Sequence, residues 1–140
     1  MFVCFFGIIF LLNIKLIIAQ TPSGDMLIGD WTDSKKEIVI TCFKKDGKYY
    51  AKPKWIENLE HPGNPLPKEE RCWLNILVMK DFEFDSGENE WSNGTIHDPK
   101  TNKTYTAFIS YIDKNRITIT GFVWFRFLSE SENFTKVITN

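Results

Sequence analysis

Turn-forming residues punctuate this chain at intervals of roughly 8–12 residues, and the runs between them alternate apolar with polar side chains. From Glu37 to Lys44, Ile38, Ile40 and Cys42 fall on one face and Val39, Thr41 and Phe43 on the other. Arg116 to Leu128 repeats the pattern: Ile117, Ile119, Gly121, Val123 and Phe125 face one way, Thr118, Thr120, Phe122, Trp124 and Arg126 the other. The breaks between such runs are Asp46-Gly47, Ser86-Gly87-Glu88-Asn89 and Asp113-Lys114-Asn115. Asp-Gly between two alternating runs is a tight hairpin turn, because both residues tolerate the positive φ that such turns require. Ten-residue windows show no helical periodicity. This spacing predicts an all-β fold of about eight antiparallel strands in an up-and-down barrel, whose interior holds side chains or one small ligand.

The best-defined hairpin runs from Trp91 to Phe108. Its first arm stops at Asp98-Pro99, since proline cannot donate to a sheet ladder, and Lys100 to Lys103 are polar turn formers. Trp91–His97 is therefore expected to pair with Lys103–Ile112. Other expected strands are Met26–Thr32, Lys48–Trp55, Cys72–Met79 continued through Phe82 and Phe84, and Asn133–Thr139. Glu57 to Arg71 carries Pro62, Gly63, Pro65 and Pro67 and reads as a long loop, with one helical turn around Pro67 to Glu70.

Residues 1–19 form an apolar run interrupted by Asn13 and Lys15, ending on the small Ala19 before the polar Gln20–Asp25. A bilayer span needs about 20 apolar residues, whereas a secretory leader needs only a short apolar core and a small residue. The expectation is a signal peptide over 1–19, cleaved after Ala19 or Gln20, with an uncleaved N-terminal anchor as the alternative, and one β-barrel domain over 20–140. The product would be exported, periplasmic or secreted, with no stable membrane span after cleavage. Outside the leader the cysteines are Cys42 and Cys72. An oxidising compartment permits a disulfide between them, and the face that Cys42 shares with Ile38 and Ile40 suits a buried thiol equally well.

With 17 Lys and Arg against 18 Asp and Glu, the chain lacks the concentrated positive charge of a nucleic-acid binder. Lys35-Lys36 and Lys44-Lys45 flank one strand and read as solvated strand ends. The two histidines, His61 and His97, have no partner at metal-ligand spacing. There is no G-x-S-x-G elbow. Asp81, Glu83 and Asp85 alternate on one strand face, the usual pattern of an exposed strand. Asn93-Gly94-Thr95, Asn102-Lys103-Thr104 and Asn133-Phe134-Thr135 have glycosylation-acceptor form, in turn and strand-edge composition that produces it by chance. No cofactor and no metal are expected, and no catalytic residues are assigned.

Gly29-Asp30-Trp31 on the first strand is similar to the lipocalin Gly-x-Trp, where the Trp closes one barrel end beneath a basic residue of the last strand. Further on stand Asp46-Gly47-Lys48-Tyr49-Tyr50, Asn64-Pro65, Ile76-Leu77 with Lys80-Asp81-Phe82, then Trp91-x-x-Gly94-x-Ile96-x-Asp98-Pro99 with Lys103-Thr104-Tyr105, and Thr120-Gly121-Phe122. This combination resembles a family of small exported bacterial proteins known as domain of unknown function 2147. The resemblance covers almost all of residues 20–140. It implies a lipocalin-like (calycin) barrel with no established reaction, and structural roles for Gly29, Trp31, Trp91, Gly94, Asp98, Pro99, Tyr105 and Gly121. The chain departs from the pattern at Trp73 and Trp124, where Gly is usual, at His97, where Tyr is usual, and at Phe134-Thr135-Lys136, which replaces Trp-x-Arg. By the resemblance, Lys136 or Arg126 is the cation expected over Trp31.

Aromatic residues make up 15% of the chain, enough to fill or line a barrel interior. The function expected is binding of a small apolar or amphipathic molecule, with Trp55, Tyr105, Tyr111, Phe122 and Trp124 as candidate ligand-binding side chains. Two other readings compete: an envelope protein-interaction module with a solid core and the Glu57–Arg71 loop as its surface, and a hydrolase using His97 and Asp98.

Overall fold

Strand alternation decides which side chains turn inward, and hydrogen bonding between neighbours decides whether the sheet closes. The computed structural model describes residues 23–57, 75–98, 103–122 and 129–139. Among them eight strands follow in chain order: β1 (Gly29–Asp33), β2 (Ile38–Lys45), β3 (Lys48–Ile56), β4 (Met79–Asp85), β5 (Glu90–Asp98), β6 (Lys103–Asp113), β7 (Arg116–Phe122) and β8 (Ser129–Lys136). Each pairs antiparallel with the next, and β1 pairs with β8, so the barrel is closed.

The sequence-predicted hairpins are present. Lys45 pairs with Lys48 across Asp46-Gly47, both at positive φ, and Trp91–Asp98 pairs with Lys103–Ile109. Three boundaries differ from expectation. Residues 24–27 are a 3-10 helix rather than the start of a strand. The Ser23 side chain accepts a hydrogen bond from the Asp25 amide, and Gly29 at φ +131° turns the chain into β1. At the second boundary, β4 begins at Met79, not at Cys72. Residues 75–78 lie outside any strand, although the Val78 amide donates to Ala51 O at 2.9 Å. Lastly, β8 starts at Ser129 and ends at Lys136, several residues earlier than expected. Its apolar periodicity is hidden, because Glu130 and Glu132 hold positions in step with buried Phe134.

The core fills one half of the barrel. Trp31, Trp91, Phe82, Leu27, Met79, Ile109, Ile117 and Cys42 are essentially inaccessible. The β2–β3 ladder slips between Val39 and Ile40. Pro53 and Ile56 are buried while Lys54 and Trp55 between them are both exposed, the signature of a bulge with one extra residue. Pro53 is tolerated there because a bulge does not need its missing donor.

Candidate functional site

One end of the barrel is plugged. The 3-10 helix lies across it, held by two indoles: Trp31 Nε1 donates to Leu27 O at 2.8 Å, and Trp91 Nε1 to Gly24 O at 3.1 Å. Lys136 of β8 places Nζ 5.4 Å from the Trp31 ring centre and 3.3 Å from Met26 O. Of the two cations expected over Trp31, Lys136 occupies the place; Arg126 lies outside the described residues. On the helix's outer side Tyr49 donates to Asp25 Oδ1 at 2.6 Å, and Lys44 lies 3.0 Å from the same oxygen. Those two partners hold the Asp25 carboxyl below its usual range, while burial and the neighbouring carboxylate push the Tyr49 phenol up. No buried side-chain polar atom among the described residues lacks a partner. This end is a finished structural closure.

The opposite end, where β1, β3, β5 and β7 finish, holds a cavity of about 610 Å³. Its floor is apolar: Ile40 of β2, Ile56 of β3, Val78 and Met79 before and in β4, Ile119 of β7 and Phe134 of β8. Ile38, Ile96, Tyr105 and Gly121 extend the wall. Above them stand Asp33, Lys35, Glu37, Asp98, Glu130 and Glu132. The β1–β2 turn at this rim is braced from within. Asp33 Oδ1 accepts from the Glu37 amide at 2.7 Å and the Ile38 amide at 3.1 Å, and Glu132 Oε1 accepts from the Ser34 amide and hydroxyl. Gly121 lines the wall because a Cβ there would press on Ile96 Cδ1 at 2.9 Å.

Of the side chains expected to bind a ligand, Tyr105 lines the cavity. Trp55 stands outside at 39% exposure, turned away by the bulge that sends Ile56 inward instead. Tyr111 packs against the core, and its β7 partner is the fully buried Ile117. Phe122 alternates out of step with Ile119 and stacks obliquely on Phe108, ring centres 6.2 Å apart. Trp124 and the Glu57–Arg71 loop beyond Glu57 lie outside the described residues. Sequence reading missed the aliphatic floor and the inward acids. The period-two series Glu130-x-Glu132-x-Phe134-x-Lys136 is the signal that finds the latter.

Cys42 is buried, and burial pushes its thiol up to about 12. Its expected partner Cys72 lies outside the described residues. His97 Nδ1 sits 3.0 Å from Thr104 Oγ1, an exposed cross-strand polar pair of the ordinary kind. No group of three or more His, Cys, Asp or Glu among the described residues could hold a metal ion. No described helix is long and apolar enough to cross a membrane.

Residues 29–136 match the model of a family described as "Uncharacterized protein conserved in bacteria (DUF2147)". No curated protein matches the chain. Among solved structures the barrel is similar to protein HP1028 of the human pathogen Helicobacter pylori, which is described as belonging to the lipocalin family. The two are 15% identical with a TM-score of 0.61, over 80% of this chain and 83% of that one. At that identity the likeness is one of fold: this chain is a lipocalin-like barrel.

Proposed function

The chain belongs to the DUF2147 family, and from that premise we propose that it is an exported barrel that binds one small apolar or amphipathic molecule in the cavity opposite Trp31. The observation that carries this reading is the cavity itself. Its volume of about 610 Å³ falls within the roughly 300–1,000 Å³ typical of small-molecule sites, and an aliphatic floor under a polar rim is their usual lining. A barrel interior is otherwise close-packed, with few voids larger than a water molecule. The fold of HP1028, a protein described as a lipocalin, agrees with this use of the barrel. Export rests on the apolar leader and would be checked by N-terminal sequencing of the mature protein, where a start at Met1 contradicts it.

The test of binding is titration of purified protein with the neutral fluorophore N-phenyl-1-naphthylamine. A saturable fluorescence rise at one probe per chain, competed by medium-chain alcohols, is the expected result. Native mass spectrometry of protein taken from its source should show a co-purifying small molecule. A linear, unsaturated response together with a bare mass would point to the solid-core interaction module instead.

A further inference from the structure

We propose that the cavity selects by charge: its ligand is an amphipathic cation, an apolar tail ending in an amine or quaternary ammonium group. This inference rests on the ligand-binding reading and names the ligand class for the same site. The acids of the polar rim are carried on the inner face of the barrel, Asp33, Asp98 and Glu132 half-buried and Glu130 exposed at the mouth. Asp33 follows inward Trp31 by two residues on β1, Asp98 follows Ile96 by two on β5, and Glu130 and Glu132 keep step with buried Phe134 on β8. Period-two alternation therefore sets four carboxylates on the inner face of the barrel, above the aliphatic floor. Glu37 adds a fifth lining carboxylate, against Lys35 as the one lysine or arginine among the described lining residues.

Inward charges protect the exposed edge strands of open sheets, but this sheet is closed and has no edge to protect. The partners of Asp33 and Glu132 are neutral donors, backbone amides and a serine hydroxyl, so both carboxylates are held in orientation, and among the described residues neither forms an ion pair. Like charges ringing a concavity with low-dielectric walls concentrate the field in its mouth and attract counter-ions. An apolar molecule carrying an anionic head would meet that field as repulsion. One carrying a cationic head would place it among the carboxylates and its tail on Ile40, Val78 and Ile119. Tyr105 in the wall adds an aromatic ring of the kind that attracts a quaternary ammonium group.

The experiment uses three probes with one tail: octyltrimethylammonium, octyl glucoside and octyl sulfate, each titrated below its micelle concentration by calorimetry. The expected order is ammonium over glucoside over sulfate, with about tenfold or more between the ends of the series. The ammonium advantage should shrink with added salt. It should shrink also in the double variant Glu130→Gln/Glu132→Gln, where the new amide oxygen at position 132 can still accept from Ser34. Equal or tighter binding of the sulfate overturns the charge selection while leaving ligand binding intact. So does an ammonium advantage unchanged in the double variant. Failure of all three probes to bind overturns both readings.

Discussion

Trp31 joins three roles in one side chain: it fills the plugged end, donates to Leu27 O, and offers its face to Lys136. The magnitudes separate them. Truncating a buried Trp to Ala typically costs about 3–5 kcal/mol, an orphaned buried carbonyl about 1–3, and a cation–π contact about 0.5–2. Packing dominates, so Trp31→Ala should unfold or severely destabilise the barrel. Trp31→Phe should cost about 1–3 kcal/mol, chiefly through Leu27 O. Lys136→Met should cost about 1 kcal/mol or less. Urea unfolding followed by circular dichroism ranks the three, and a Trp31→Ala midpoint equal to the parent's would mean that the ring does not plug the core. Asp30 supplies a residue-scale prediction with a pH sign. Lys54 at 2.6 Å and then Thr41 at 2.7 Å hold its carboxyl below the usual range. A depressed folded pKa contributes stability above the unfolded value of about 3.9 and loses it as pH falls through the folded pKa. The urea midpoint should therefore drop below about pH 4, and Asp30→Asn should flatten the drop. The Lys54 head is more than half exposed, so added salt should also weaken the effect. A variant profile that overlays the parent's would show that Asp30 carries no such linkage.

At the scale of the element, β5 shows how a strand is set by a single missing atom. A Cβ on Gly94 would fall into the ring of Phe82, and Phe82 is fully buried and cannot yield. Asn93 beside it sits at φ +62°, and the β5–β6 register slips between Trp91 and Gly94, so the strand kinks to bring its backbone against the ring. Gly94→Ala should cost about 1–3 kcal/mol by overpacking. Combined with Phe82→Leu it should cost less than the two separate losses together, as a double-mutant cycle would record; strict additivity would mean the contact is not shared. The Trp91-x-x-Gly94 spacing was visible in the chain, as were the hairpins and the barrel order, because tight turns and period-two alternation are local signals. Tertiary context hid the remainder. Leu27 is apolar and next to a strand, but it is the indole donors of Trp31 and Trp91, residues distant in sequence or in reach, that make a helical plug of it. The β2–β3 bulge depends on two strands at once, so Trp55, expected among the ligand-binding side chains, faces out and Ile56 takes the inward place. At β8, the expected strand begins only at Asn133, which leaves Glu130 and Glu132 outside it, whereas register with β7 puts both in the strand and on its inner face.

For the molecule as a whole, the division into a plugged half and a hollow half is what separates a binding barrel from a solid module, and the two respond oppositely to added volume. Val78 is 7% exposed and lines the cavity. In a close-packed core, enlarging it forces strained side-chain and backbone positions at a cost of typically about 1–3 kcal/mol. Beside an existing void, the added ring has somewhere to go, and it removes apolar surface from water at about 25 cal/mol per Å². Val78→Phe should thus leave the urea midpoint unchanged or raised, while weakening N-phenyl-1-naphthylamine binding by about tenfold or more, since the probe loses the volume that the ring takes. The matching change in the plugged half, Leu27→Phe, has no void to enter, because Leu27 is completely inaccessible in the 3-10 helix that closes that end. It should lower the midpoint and leave probe affinity near the parent's. Opposite signs from the two substitutions, one at each end of the same barrel, would localise the free volume to the acidic end. A Val78→Phe protein that loses stability as Leu27→Phe does would mean that both halves are equally packed, and the ligand-binding reading would lose the observation it stands on.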